Sequence, residues 1–211
     1  MLFRSIRHDV VDGMRFLWGN PAVRRITTIL AVINFFYFAA ISLLVLYNQE
    51  HLRSGPTTYS LFFVGSGVGI ILSRFALGRL VARVGQVRAI GIAFWFWAIM
   101  LIGTPITSTA WVAVGLQVLL GMGSGLWIAL NTTIRQTLTP PTMLGRMNAA
   151  YRAVSWGVVP FGAAFGGFLA HRFGLLTPFW LAGFAMLPIC VFSGYLLRPV
   201  RIALADRDAA R

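Results

Sequence analysis

Six apolar runs, each about 20 residues long, leave this chain one solvent in which to fold. They cover roughly residues 25–47, 57–80, 87–106, 110–133, 147–170 and 176–197. At 1.5 Å of rise per residue, about 20 helical residues cross the ~30 Å of bilayer hydrocarbon. A helix also satisfies its backbone donors and acceptors within one segment, which lipid demands. The expected fold class is therefore an all-α integral membrane protein with six transmembrane helices. Only 11% of the residues are charged, against about 25% in a soluble domain. Pro56, Pro105 and Pro178 fall at or beside the ends of runs, where a missing backbone N–H is tolerated.

Charge orients the spans. Every basic residue is arginine, and the formal net charge is +13. With the N-terminus inside, 16 of the 18 arginines fall on inner segments, and only Arg53 and Arg172 fall outside. Positive residues collect on the cytoplasmic side, so both termini are expected there, in a multi-pass protein of the cell membrane. The arginines alternate with apolar runs instead of lining one soluble face. That favours membrane lipids as partners and argues against nucleic acid. Three parts follow: a cytoplasmic linker over 1–24, a six-helix bundle over 25–197 and a cytoplasmic tail over 198–211. Within the linker, Phe3, Ile6, Val10, Met14, Leu17 and Trp18 recur at helical spacing. They predict a short amphipathic helix on the membrane surface, ended by Gly19-Asn20-Pro21. No signal peptide is expected, because the first 25 residues hold five arginines and no apolar core.

The pattern Gly-x-Leu-x-x-Arg-x-Gly occurs twice, 89 residues apart. Gly78, Leu80, Arg83 and Gly85 match Gly167, Leu169, Arg172 and Gly174. The same shift carries the first three spans onto the last three. Three is odd, so the second copy inserts upside down, giving an inverted three-plus-three repeat over 25–106 and 110–197. Gly65 and Gly69, Gly121 and Gly125, and Gly162 and Gly166 are each four apart, a spacing that lets helix backbones approach closely. The third span instead carries Phe94-Trp95-Phe96-Trp97, which suits lipid contact. The third and sixth spans are expected on the outside.

Polar side chains inside a bilayer are costly and mark candidate sites. Asn34 and Tyr37 on the first span, Gln117 and Asn131 on the fourth, and Tyr151 and Trp156 on the fifth are candidates for a substrate path. Arg74 and Arg152 sit one to two turns inside their ends, placed to snorkel or to gate. No Asp or Glu lies in any span core, so a proton-coupling carboxylate would have to come from elsewhere. His8, His51 and His171 are expected in solvent, and Cys190 is expected to act as a small packing residue. No enzyme constellation, metal site or phosphate loop is recognisable, so neither catalysis nor a cofactor is expected.

Gly78 to Arg88 resembles the signature loop Gly-x-x-x-Asp-Arg-x-Gly-Arg-Arg of major facilitator superfamily transporters, in the position it takes in their second half. Gly78, Arg83, Gly85 and Arg88 match, while Ala82 replaces the acid. Thr139 to Gly167 is similar to the efflux branch that includes enterobactin exporters and macrolide efflux pumps. The resemblance implies alternating access, with the first and fourth spans lining a cavity and the second and fifth flanking it. It implies a cytoplasmic gate drawn from the four signature residues together with Gly145, Arg146 and Arg152. It further implies a C-terminal half, so the expected partners are a small-molecule substrate and either an absent N-terminal half or a second copy of the chain. The alternative expectation is a six-helix membrane subunit or inactive fragment without transport.

Overall fold

Asparagine, proline and glycine punctuate the helices. The computed structural model describes residues 2–209, and it describes the side chains of residues 10–207 and 209. Helix α1 is Leu2–Gly19. Asn20 caps α2 (Pro21–Ile41), its Oδ1 accepting from the N–H groups of Ala22 and Val23 at 3.1 Å each. A turn at Ser42-Leu43 leads to α3 (Leu44–Leu46), then to one widened turn over Tyr47–His51. Four helices follow: α4 (Pro56–Val84), α5 (Gln86–Ile106), α6 (Ala110–Leu138) and, after a tight turn at Pro141–Met143, α7 (Leu144–Gly157). The chain ends in α8 (Val159–Phe173), α9 (Thr177–Val191), α10 (Ser193–Leu196) and α11 (Arg198–Ala209). Among the described residues there is no strand.

Five segments are long and apolar enough to cross a membrane: Pro21–His51, Pro56–Val84, Gln86–Ile106, Ala110–Leu138 and Pro141–Phe173. The sixth apolar run is a shorter helix of 15 residues, α9. At 1.5 Å per residue it covers ~22 Å, less than the hydrocarbon thickness. Pro188 removes a backbone donor within it, and Phe192, with φ −91° and ψ 11°, leaves helical geometry before α10.

Glycine decides the main crossings. Helix α4 is buried along one stripe only, Phe62, Gly65, Gly69 and Ser73, and that stripe lies on α6. A Cβ at Gly65 would stand 2.9 Å from the Val114 carbonyl oxygen, and one at Gly69 would run into that of Val118. Gly121 faces the Ser66 carbonyl and Gly125 faces Ser73 Oγ. Helix α8 lies on α2 in the same way, with Gly162 against the Phe35 carbonyl and Gly166 against that of Ala39. All six glycines of the four-residue spacing thus sit at helix contacts.

The third span differs from expectation. Of its apolar stretch 61% is buried, against 22% for α4 and for α7–α8. Phe94 and Trp97, three apart, turn inward, and only Trp95 of that aromatic run is openly exposed. The reason lies on α6. Gly123 leaves a recess there, with Trp97 Cδ1 at 2.9 Å from where a Cβ would be, so the indole has somewhere to go. Helix α5 packs between α6 and α9, and α9 also packs on α2. Open apolar faces belong to α4 (Phe63, Val64, Ile71, Phe75), to α8 (Phe161, Phe168) and to the sixth apolar run (Phe184, Val191, Phe192, Tyr195).

Helix α1 packs against the rest of the bundle. It docks on α7 through Gly13, whose absent side chain admits the Arg146 carbonyl, and through fully buried Leu17. Asp12 pairs with Arg146 at 3.3 Å. Val10 and Trp18, expected with Leu17 on a membrane-facing side, are each 48% exposed on the protein surface. Phe3 and Ile6 lie outside the described side chains.

Tyr47 ties the widened turn to the far end of α5. Its ring is fully buried, and its hydroxyl donates to the Thr104 carbonyl at 2.8 Å and lies 3.2 Å from that of Thr107. His51, expected in solvent, stacks on it with centroids 5.2 Å apart and reaches the Thr107 carbonyl at 3.1 Å. Tyr47→Phe should cost about 1 kcal/mol, read as a lowered unfolding midpoint in detergent. An unchanged midpoint would show that the two carbonyls find another donor.

Candidate functional site

Asn131 and Arg135 are four residues apart on α6 and so share one face. Asn148 and Tyr151 are three apart on α7 and face them. Asn131 Nδ2 donates to Tyr151 Oη at 2.6 Å. The Arg135 guanidinium carbon stands 3.8 Å over the Tyr151 ring, and Nη1 donates to Asn148 Oδ1. Asn131, Arg135 and Tyr151 are all buried. Two polar atoms of the cluster, Arg135 Nε and Asn131 Oδ1, are buried without a hydrogen-bond partner. Asn34 on α2 reaches α7 from the other side, its Nδ2 donating to the Ser155 carbonyl at 2.6 Å.

This cluster forms part of the wall of a cavity of about 510 Å³ between α2, α6 and α7. The remaining wall is largely apolar and aromatic, with Phe38, Trp97, Trp127 and Trp156 in it. Trp97, Trp127 and Phe94 form a ring cluster with centroids 5.5–6.1 Å apart, and Trp97 Nε1 donates to Ser124 Oγ at 3.2 Å. Of the six residues expected on a substrate path, Asn34, Tyr37, Asn131, Tyr151 and Trp156 meet here. Gln117 does not. It is buried opposite Gly65 and lines a second cavity of about 350 Å³, which shares Tyr37, Phe38 and Leu120 with the first.

The geometry can hold a small molecule of mixed character, with apolar rings around its body and amide, hydroxyl and guanidinium groups at one end. Among the described residues no group of His, Cys, Asp and Glu is placed to hold a metal ion. A family model described as Major Facilitator Superfamily matches residues 26–210.

The chain belongs to the Major Facilitator Superfamily. Members of that superfamily are membrane transporters and not enzymes, and this member is a multi-pass membrane protein. No curated protein and no solved structure matches the chain.

The residues of the superfamily's signature pattern stand apart from the cavity. Gly78 and Arg83 lie on exposed turns of α4, which stays helical to Val84, and the connector to α5 shrinks to Gly85 alone. Gly85 has φ +81° and its amide donates to the Val81 carbonyl at 2.9 Å. Arg88 lines another cavity, of about 600 Å³, with Arg201 of α11. Among the described residues Arg83 and Arg88 join no ion pair. Gly145 is exposed on the first turn of α7, Arg146 is held by Asp12, and exposed Arg152 borders the main cavity. The gate candidates are therefore not one cluster. Arg152 belongs with the cavity, Gly145 and Arg146 with the start of α7, where α1 docks, and Gly78, Arg83, Gly85 and Arg88 with the α4–α5 connector.

Arg135 and Asn148 escape a reading from sequence. The fourth run loses its apolar character near residue 133, which puts Arg135 outside the span. The helix itself continues to Leu138 and keeps Arg135 on the face of Asn131.

Proposed function

We propose that this chain is the C-terminal six-helix half of a secondary transporter that exports small lipophilic or amphipathic compounds by alternating access. The observation that carries the reading is the aromatic cavity, with polar groups from the first, fourth and fifth spans converging at one end. Three further features support it. The open apolar faces of α4 and α8 flank the cavity-lining helices, as surfaces that meet a second half would. The contacts exchange as an inverted repeat requires: α4 lies on α6, and α8 lies on α2. Under the 89-residue shift Gly162 against Phe35 falls on Ser73 against Ser124, and Ser73 does lie against the neighbouring Gly125. Both connectors also turn on a glycine with positive φ, Gly85 at +81° and Gly174 at +98°.

In this reading α9 and α10 together make the sixth crossing, both termini are cytoplasmic, and the acid that couples transport to an ion gradient lies on the other half or on a second copy. The cavity opens to one side of the membrane at a time.

The test uses the chain's single cysteine. In a Cys190→Ala background, a thiol placed by Ser124→Cys lies in the cavity wall. A membrane-impermeant maleimide is expected to label it in sealed vesicles from one side, and lipophilic amphipaths are expected to slow labelling several-fold. An unreactive thiol, or one that no compound protects, would overturn the reading.

A further inference from the structure

We propose that the cavity selects organic anions: an acidic head held at Arg135, with an apolar or aromatic body against the tryptophans. The inference rests on the transport reading of the cavity and adds the charge class of what it takes. Sixteen residues line the cavity, and the two charged ones are both cations, Arg135 and Arg152. Arg135 is 9% exposed and joins no ion pair among the described residues. Its neighbours hold it without neutralising it. Asn148 accepts one hydrogen bond, and the face of Tyr151 offers a quadrupole. A guanidinium has five donors, and here Nε is left with none of its hydrogen bonding met. Taking an unpaired charge out of water is costly, and a bound counter-charge offsets that cost.

The position within the fold agrees. Arg135 lies one turn from the end of α6, while Trp97 and Trp127 lie two turns or more further in. A ligand with its acid at Arg135 thus lays its body along the aromatic wall. The planar guanidinium suits carboxylate, sulfonate and phosphate groups alike. A soluble organic acid and an anionic lipid headgroup share that chemistry.

The experiment uses two aromatic probes of one scaffold, 1-anilinonaphthalene-8-sulfonate and the neutral N-phenyl-1-naphthylamine. The chain is placed in phosphatidylcholine nanodiscs, and energy transfer from its tryptophans to bound probe is titrated. Ser124→Phe, which puts a ring into the void, supplies the lipid background. The sulfonate is expected to saturate the cavity signal about tenfold or more below the neutral probe, as a charge-assisted hydrogen bond implies. Arg135→Gln should abolish that preference, and Arg135→Lys should retain most of it. Equal binding of the two probes by the wild-type chain overturns the inference while leaving a cavity that binds small molecules. That comparison does not depend on either Arg135 variant. Absence of a cavity signal with either probe overturns both the inference and the transport reading. In nanodiscs containing phosphatidylglycerol, a weakened sulfonate signal assigns the natural occupant to lipid headgroups, and an unchanged one assigns it to soluble acids.

Discussion

Leucine in place of Gly69 should separate α4 from the rest of the bundle. The three atoms nearest to an added Cβ are all backbone: the Val118 carbonyl oxygen, the Met122 nitrogen at 2.8 Å and the Gly121 Cα at 2.9 Å. Backbone cannot rotate aside as a flexible side chain can, so the helices must part. Overpacking a tight contact costs about 1–3 kcal/mol and occasionally more. Here the upper end is expected, because α4 has no second buried stripe to hold it when the first is lost. Lipid tails are as apolar as leucine, so nothing but close packing favours the helix pair over the separated helices. Gly67 is the control, two residues away with nothing within 4 Å of its missing Cβ. Gel filtration in mild detergent should show Gly67→Leu eluting as the wild-type chain does and Gly69→Leu aggregating or unfolding at a much lower temperature. Indistinguishable behaviour of the two would mean that the α4–α6 crossing is not what holds α4.

The same contact shows what a sequence discloses of such a fold. The four-residue glycine spacing marks the crossings because small residues at that interval have one common use in lipid. It does not name the partner. That α4 meets α6, and α8 meets α2, depends on how the spans are arranged around each other. The aromatic run at 94–97 misleads for a related reason. Bulk reads as lipid-facing only while the facing helix is unknown, and Gly123 on that helix makes the room. Polar residues within the spans are legible as site candidates, since burying them needs a reason, and five of the six candidates line one cavity. Arg135 is not legible. Hydropathy locates where apolar residues stop, whereas the helix, and with it the face of Asn131, runs on to Leu138. The docking of α1 on α7 likewise turns on Gly13, an unremarkable residue in an amphipathic pattern until the Arg146 carbonyl is placed against it.

The repeated pattern Gly-x-Leu-x-x-Arg-x-Gly makes a sharper prediction, because its two glycines differ physically. Gly85 and Gly174, the last of each copy, have φ of +81° and +98° with ψ of 162° and 154°. That region is almost closed to residues with a Cβ and costs them about 1–3 kcal/mol. Nothing stands within 4 Å of either missing Cβ, so alanine there adds backbone strain and no clash. Gly78 and Gly167, the first of each copy, lie inside α4 and α8, also with nothing within 4 Å. Alanine at those positions relieves the entropic cost of helical glycine, worth about 0.5–1 kcal/mol. Thermal unfolding in detergent should therefore show Gly85→Ala and Gly174→Ala lowering the midpoint and Gly78→Ala and Gly167→Ala raising it or leaving it in place. If Gly85→Ala is as stable as Gly78→Ala, the strained connector is not real. If the pattern holds, the second glycine of each copy is explained by the turn it makes, and the first is not. A residue that costs stability and recurs at the same place in both copies is poorly explained by convergence on a turn. It is better explained by descent from one duplicated three-helix unit.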